Sequence, residues 1–442
     1  MMTTHLQPVV EWLGTTPKGW SQPRLKAVFR DNTGAISMEK LAELEVQHYS
    51  IPNFDEFGAP VREDGATIAS NKTLLRGGEI LFSKLNCHKP RVWLVPHDDQ
   101  VKVASTEFIP LAEWHSGKTD KRFVTYLVGS AVFAEYMTCF QTSVTNSHRR
   151  INPNDLWQTR VPLPPLPEQQ RIAAYLDASC AAIDSAVVAK RSQLETLDAL
   201  SKSIIHRAVT KGLNPGAPRR ASEVAWFDEI PRHWRCEHLK RFTTRIQAGM
   251  TPPTNTPEYY EDGTIPWFAP GSFDGDIDLS EPRKLINELA RSDGELRIFP
   301  AGTVFLVGIG ATIGKIGLVS VEASCNQQLV GIVCGHRMHS RYLAYQFKIY
   351  EDVIPGIATA TTLPIFDQVK TGYLRTLQPP REEQLAICDF LDAKLAESKQ
   401  IVAGIQTQIT TLTAYRKSLI HECVTGQRRV TEADINRVKT HG

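Results

Sequence analysis

The sequence has almost no net charge, no long apolar run and no paired cysteines, and each lack removes a class of function. Its 442 residues carry 50 Lys and Arg against 48 Asp and Glu, a formal net charge of +2. Bulk charge therefore makes no case for nucleic acid, and any such case rests on how charges are arranged. No stretch approaches the 18 or more continuous apolar residues of a membrane span. Residues 1–12 lack the basic start and apolar core of a signal peptide. The eight cysteines are scattered without a C-x-x-C pair, which argues against a zinc or dithiol site and suits a reducing cytoplasm. The thirteen histidines include no H-E-x-x-H, and no Gly-x-Ser-x-Gly elbow occurs.

What is present is a repeat. Slid by 215 positions, Pro164-Pro165 falls on Pro379-Pro380, Glu168-Gln169 on Glu383-Gln384, and Leu176-Asp177-Ala178 on Leu391-Asp392-Ala393. Lys202-Ser203, Ile205-His206 and Val209-Thr210 meet Lys417-Ser418, Ile420-His421 and Val424-Thr425 without a gap. A match of this length marks a duplicated structural unit. Each copy predicts one long helix. Di-proline and an early acidic residue start it, and no proline follows before Gly212 or Gly426. Steps of three and four from Leu176 reach Cys180, Ile183, Val187, Lys190, Leu194, Leu197, Ser201, Ile204 and Ala208. The same steps from Leu391 reach Leu395, Ser398, Val402, Ile405, Ile409, Leu412, Arg416, Leu419 and Cys423. That is a heptad seam with polar interruptions. A helix of roughly 43 residues is about 65 Å long and cannot bury such a seam alone. The second copy supplies the partner, so an antiparallel coiled coil is expected.

A shorter match opens each half. Trp12-Leu13, Pro17, Trp20 and Leu25-Lys26 align, 214 positions on, with Trp226-Phe227, Pro231, Trp234 and Leu239-Lys240. The frame is thus a tryptophan lead, a variable block (about 21–163 and 235–377) and a long helix, twice over. The two blocks show little resemblance to each other. In the first, Glu79–Phe82 and Arg91–Val95 read as strands and Phe123–Phe140 as a helix. In the second, Thr303–Val307, Ile316–Val319 and Gln328–Val333 read as strands and Arg341–Tyr350 as a helix. The turn-rich run 213–220 links the halves, and in repeat logic the tail after Gly426 leads back toward Trp12. The expected architecture is α+β: two mixed α/β domains joined by two long helices forming an antiparallel coiled coil, with a pseudo-twofold repeat. The boundaries are 1–163, first helix 164–212, linker and second domain 213–377, second helix 378–427, and tail 428–442.

The chemistry-bearing candidates are few. Gly308-Ile309-Gly310-Ala311-Thr312-Ile313-Gly314-Lys315 is neither a dinucleotide fingerprint nor a P-loop, because its third glycine is misplaced and Ile316 stands where Ser or Thr is needed. A tight turn between strands is expected, with Lys315 able to meet a phosphate. Asn152-Pro153-Asn154-Asp155 lacks the aromatic that would stack on a flipped base and reads as a helix cap. Asp98-Asp99 with Lys102 reads as a solvated loop. The run Gln141–Ser147 ends in His148-Arg149-Arg150, side-chain types that bond bases and phosphates, and Thr359–Thr362 lies at the matching place in the second block. Arg232, Arg235, Lys240, Arg241 and Arg245 form a basic cluster in sequence around the second lead. No catalytic constellation emerges, which points to a reader and not a catalyst.

At this point the chain resembles the specificity (S) subunits of type I restriction–modification systems, over nearly its whole length. The resemblance lies in Pro164–Asp177 and its copy at 379–392, the lead Trp226–Trp234, and Gly249-Met250-Thr251-Pro252 followed by Tyr259-Tyr260 and Ile265-Pro266-Trp267. Pro300–Val304, Thr312–Lys315 and Asn326-Gln327 continue it, and Leu75–Phe82 matches in the first block, which diverges after Lys84. It implies two target-recognition domains, each reading half of a bipartite site in double-stranded DNA, and paired helices that set the spacer and dock two methyltransferase (M) subunits. Those partners would hold S-adenosylmethionine and methylate adenine N6, while restriction (R) subunits would use ATP and Mg for cleavage. This chain itself would hold no cofactor or metal, cross no membrane, reside in the cytoplasm and perform no catalysis. Candidate DNA contacts are Asn146, His148, Arg149 and Arg150 in the first block, and Thr251, Lys315, Asn326, Gln327 and Thr361 in the second. A coiled-coil adaptor whose domains bind proteins stays open as the alternative.

Overall fold

The computed structural model of the protein describes residues 12–13, 16–31, 34–114, 117–143, 149–222, 224, 226–358 and 364–441. Two helices run without interruption at Leu166–Lys211 and Arg381–Val424. The first spans 46 residues, about 69 Å. Each stops at a glycine in the left-handed region, Gly212 at φ 71° and Gly426 at φ 77°, as helix C-termini favour. The heptad seam is where the spacing placed it. Leu176, Cys180, Ile183 and Ala208 are buried, as are Leu391, Ile405, Ile409, Leu419 and Cys423. The remaining predicted seam positions are half-buried, except Val402, which is exposed. One 18-residue window of the first helix has mean hydropathy 1.5, enough by length and composition to cross a membrane, and 44% of it is buried in the protein. Its apolar side is the seam and the domain face.

The chain divides into two compact units, residues 1–190 with 406–442, and residues 191–405. Each holds one end of both helices, and in each the helices run antiparallel. In unit 1 Arg416 Nε lies 3.0 Å from Asp184. In unit 2 the Ser201 and Ser398 hydroxyls are 3.1 Å apart.

The dissimilar blocks fold alike. Unit 1 has an antiparallel sheet in the order Phe29–Asp31, Phe108–Glu113, Ile80–Ser83, Val92–Leu94. Unit 2 has the same order in Thr243–Ala248, Leu329–Cys334, Val304–Val307, Ile316–Leu318. A second sheet recurs too. Glu45–Tyr49 pairs antiparallel with Val61–Asp64 and parallel with Lys102–Ala104, as Ile265–Phe268 does with Lys284–Ile286 and Ser324–Cys325. Unit 1 extends that sheet by Lys72–Leu75 and Ala35–Ile36. The helix expected over 123–140 is two, Lys121–Val128 and Ala131–Thr138, because the Ser130 hydroxyl accepts from Phe133 N and starts a new helix. In unit 2 the matching helix, Ser340–Tyr350, is single as expected.

The repeated motifs are joints between these parts. Gln169 is buried; its Oε1 accepts from Asp120 N at 2.9 Å and its Nε2 donates to Pro164 O at 2.8 Å. Gln384 does the same with His339 N at 2.7 Å and Pro379 O at 2.8 Å, and adds Arg337 O at 2.9 Å. In each case a buried amide ties the start of a helix of the variable block to the start of a long helix. The tryptophan leads close the opposite ends. A Cβ on Gly212 would lie 3.2 Å from the Trp234 ring, and one on Gly426 would lie 3.2 Å from Trp20 and 2.2 Å from Pro17. The tail does lead back to the first lead, with Val430 and, in helix Glu432–His441, Ile435 buried in the unit 1 core. One loop reading needs correction. Asp98 and Asp99 do lie in an exposed loop, but Lys102 is 1% exposed in strand Lys102–Ala104, and its ammonium bonds Asp98.

Candidate nucleic-acid interface

In each unit the strand ends on one side of the four-stranded sheet carry the candidate residues. The glycine turn of unit 2 is a tight connection between Val304–Val307 and Ile316–Leu318, as the sequence suggests, with Gly310 at φ 109° and Gly314 at φ 94°. Backbone bonds stitch it to its neighbours. Gly308 N donates to Gln328 O at 2.8 Å, Phe366 N to Gly308 O at 2.7 Å, and Ile309 bridges Ile365. Gly249 runs so close to the Cys325–Asn326 backbone that a Cβ would meet Asn326 O at 2.4 Å. The structure thereby brings Thr251, Asn326 and Gln327 to one rim, with Lys315 where the turn rejoins its second strand.

These candidates differ in what they have left to offer a ligand. The Asn326 amide is spent on the turn, donating to Gln328 Oε1 at 2.9 Å and accepting from Gln328 N at 3.1 Å. Gln327 is exposed, and its Oε1 accepts from the Thr251 hydroxyl at 2.5 Å. Lys315 is half-buried. Thr361, with the rest of 359–363, lies outside the described residues; its downstream flank, Pro364, accepts from Gly310 N on this rim.

The unit 1 rim has the same construction. Strand Arg149–Arg150 pairs with Thr142–Ser143 and docks on the loop after Ile80–Ser83. Leu85 bridges Arg150, Asn86 N donates to Arg149 O at 2.7 Å, and Ile151 N to Lys84 O at 3.0 Å. The Leu85–Arg150 bridge is the counterpart of Ile309–Ile365. Arg149 is exposed on this rim. Arg150 is held by Glu107 through two bonds of 3.0 Å, so a phosphate would have to displace a carboxylate from it. Asn146 and His148 lie outside the described residues, between the two strands of this hairpin.

Sequence reasoning missed Lys84, His88 and Lys89. They sit in the loop that receives Arg149–Arg150, and His88 and Lys89 are exposed. Their signal was a short basic run after a strand, in the region where the resemblance fades. Cys87 in the same loop is 1% exposed, and burial pushes its thiol up to about 11, so it is no nucleophile at neutral pH. The cluster around the second lead is dispersed in space. Lys240 lies over the Tyr373 ring at 3.6 Å, while Arg245 covers Phe299 at 4.5 Å and donates to Ile298 O. Among the described residues no group of three His, Cys, Asp or Glu side chains is placed to hold a metal.

The chain is similar to known proteins over much of its length. Residues 242–411 match a family model described as type I restriction modification DNA specificity domain. The MjaIX specificity subunit of Methanocaldococcus jannaschii is 30% identical over 170 residues, 37% of this chain and 38% of that protein. That alignment spans less than half of the relative. The putative MjaX specificity subunit of the same organism is 24% identical over 369 residues, 80% of this chain and 79% of that protein. The EcoR124I/EcoR124II specificity subunit of Escherichia coli is 25% identical over 37% of this chain and 41% of its own length. In fold, a chain from a structure concerning assembly and conformational transition of the type I R-M system superposes with TM-score 0.76, at 20% identity, over 94% of this chain and all of its own. The HsdS subunit from Thermoanaerobacter tengcongensis superposes with TM-score 0.54, at 20% identity, over 97% of this chain and all of its own.

Proposed function

We propose, on the premise that this chain belongs to the specificity subunits of type I restriction–modification systems, that it is the DNA-recognition subunit of such a complex. Each unit reads one half of a bipartite target with its rim, and the long helices set the spacer. The observation that carries this reading is the twice-built rim. Two folds of one topology present different chemistry at the same strand ends, on helices that share one seam. Half-sites about one helical turn apart, roughly 10 bp centre to centre, would put both rims on one face of the duplex.

The division of labour follows from the side chains. Exposed cations on the unit 1 rim suit phosphates and guanine edges, and amides and hydroxyls on the unit 2 rim suit adenine and backbone contacts. This chain supplies recognition and no reacting group. The helices dock two methyltransferase subunits, which bring S-adenosylmethionine and transfer methyl to adenine N6. Restriction subunits with ATP and Mg add cleavage, and the whole works in the cytoplasm.

Co-expression with the methyltransferase partner and a genome-wide map of modified adenines tests the reading. A single motif of two short half-sites with a fixed gap is expected. An active, assembled partner that leaves no bipartite motif would overturn it in favour of a protein adaptor.

A further inference from the structure

Each recognition fold is fastened to the long helices by an aspartate that the repeat supplies and a pair of residues that the repeat does not. In unit 1, Asp177 accepts from Tyr126 Oη at 2.9 Å and from Arg122 Nη1 at 2.9 Å. In unit 2, Asp392 accepts from Arg341 Nε at 2.8 Å and from the Tyr345 hydroxyl. Arg-x3-Tyr puts both donors on one face of a helix, one turn apart. The aspartates are 215 positions apart and the Arg-x3-Tyr pairs 219, so the joint is rebuilt in a different register within blocks that otherwise share little sequence.

The joint is poorly suited to holding the fold together. The Arg122 and Asp177 side chains are 44% and 41% exposed, and such pairs add little stability. The buried Gln169 and Gln384 amides and the apolar cores already attach the parts. A carboxylate gripped from two directions by a guanidinium and a phenol instead fixes an angle. We propose that Asp177 and Asp392 are positioning residues. Each sets the angle of a recognition fold on its own stretch of helix, and through it the tolerance of the complex to the gap between half-sites. This rests on the DNA-recognition reading above.

Unit 2 carries a reinforcement. Arg341 Nη1 also donates to Asp278 at 2.8 Å, Lys399 to Asp276 at 2.8 Å, and Lys348 to Gly275 O at 2.8 Å, so the loop 275–278 straps the same helices. Asp177 is therefore the more sensitive of the two positions.

The test is the gap spectrum, read by mapping methylated adenines with the full chain in complex with its methyltransferase partner. For Asp177→Asn, sites with intact half-sites and a gap one base pair longer or shorter should gain about tenfold relative to the native gap, the scale of one charged hydrogen bond. Asp392→Asn should gain less. Tyr126→Phe keeps the carboxylate and the packing, so it provides a folded variant, with a gain of about threefold. An unchanged gap spectrum in Asp177→Asn and Tyr126→Phe, whether overall methylation falls or not, would overturn the proposal. So would relaxed half-site letters at a fixed gap. A wild-type complex without any bipartite motif would instead sink the recognition reading itself.

Discussion

Unit 1 presents Lys84, His88, Lys89 and Arg149 at its rim, while unit 2 presents Thr251 and Gln327 at the same strand ends. Beneath these rims the two units share a sheet order, a buried glutamine joint, a glycine stop against tryptophan and an aspartate clamp. The difference teaches where identity is needed and where pattern suffices. A joint that depends on one amide or one carboxylate keeps its residue type. A strand that only has to fill a core keeps apolarity and alternation, and any of several side chains will do. On the proposed reading the rims answer to DNA, which accounts for their different side chains.

Exchanging residues 21–163 for the corresponding block of a specificity subunit that the chain resembles breaks the comparison outright. One half-site of the methylation map should be replaced, with the other half-site and the gap retained. Loss of both half-sites would show that the units do not read independently.

The glycine stops offer a sharper contrast. A side chain at a positive φ costs about 1–2 kcal/mol, and crowding adds about 1–3 kcal/mol. Gly426→Ala, aimed at the Pro17 ring at 2.2 Å, should destabilise unit 1 by roughly 2–5 kcal/mol. Gly212→Ala, which meets Trp234 at 3.2 Å, should cost unit 2 about 1–2 kcal/mol. Hydrogen exchange of the strands in each unit reads the two losses separately.

The glutamine joints should rank the other way. Gln384 makes three bonds to its surroundings through Oε1 and Nε2, to His339, Pro379 and Arg337, where Gln169 makes two. Replacement by Ala leaves buried donors and acceptors unpaired, at about 1–3 kcal/mol, with Gln384→Ala the larger. Denaturant unfolding of the full chain, followed by the tryptophans of each lead, checks the order.

The smallest effect is a pH response of the unit 2 joint. His339 stands where unit 1 has Asp120, each donating its N–H to the joint glutamine. Burial, with Arg381 and Arg341 nearby, holds the His339 imidazole below its usual pKa, so the folded state favours the neutral ring. Its contribution is present above about pH 6.5 and is lost as pH falls through the lowered value, because the unfolded chain binds the proton more tightly. Unit 2 should soften as pH falls below about 6.5, and His339→Asp, which copies unit 1, should remove that component. Thermal unfolding across this range is the measurement. An identical slope in wild type and variant would reject the assignment.

Much of this was legible in the residues. Leu176 to Ala208 and Leu391 to Cys423 settled the helices and their seam, because a heptad is a local pattern that one chain segment displays by itself. Their polar interruptions became specific pairs, Asp184 with Arg416 and Ser201 with Ser398. The single helix expected over 123–140 broke at Ser130 because a local side-chain cap outweighed continuous apolarity. Lys102 was read as part of a solvated loop, yet a strand carries it inward while Asp98, its partner, stays exposed.

By itself the sequence determined the repeat, the helix lengths, the seam and the glycine stops, since each depends on residues near one another in the chain. Only the tertiary structure decided that two dissimilar blocks share one sheet order, that Arg150 is held by Glu107, and that Arg122 with Tyr126 and Arg341 with Tyr345 converge on the repeated aspartates. Those are pairings between distant segments, and a strand or an ion pair takes its partner from whatever the folded chain brings within reach.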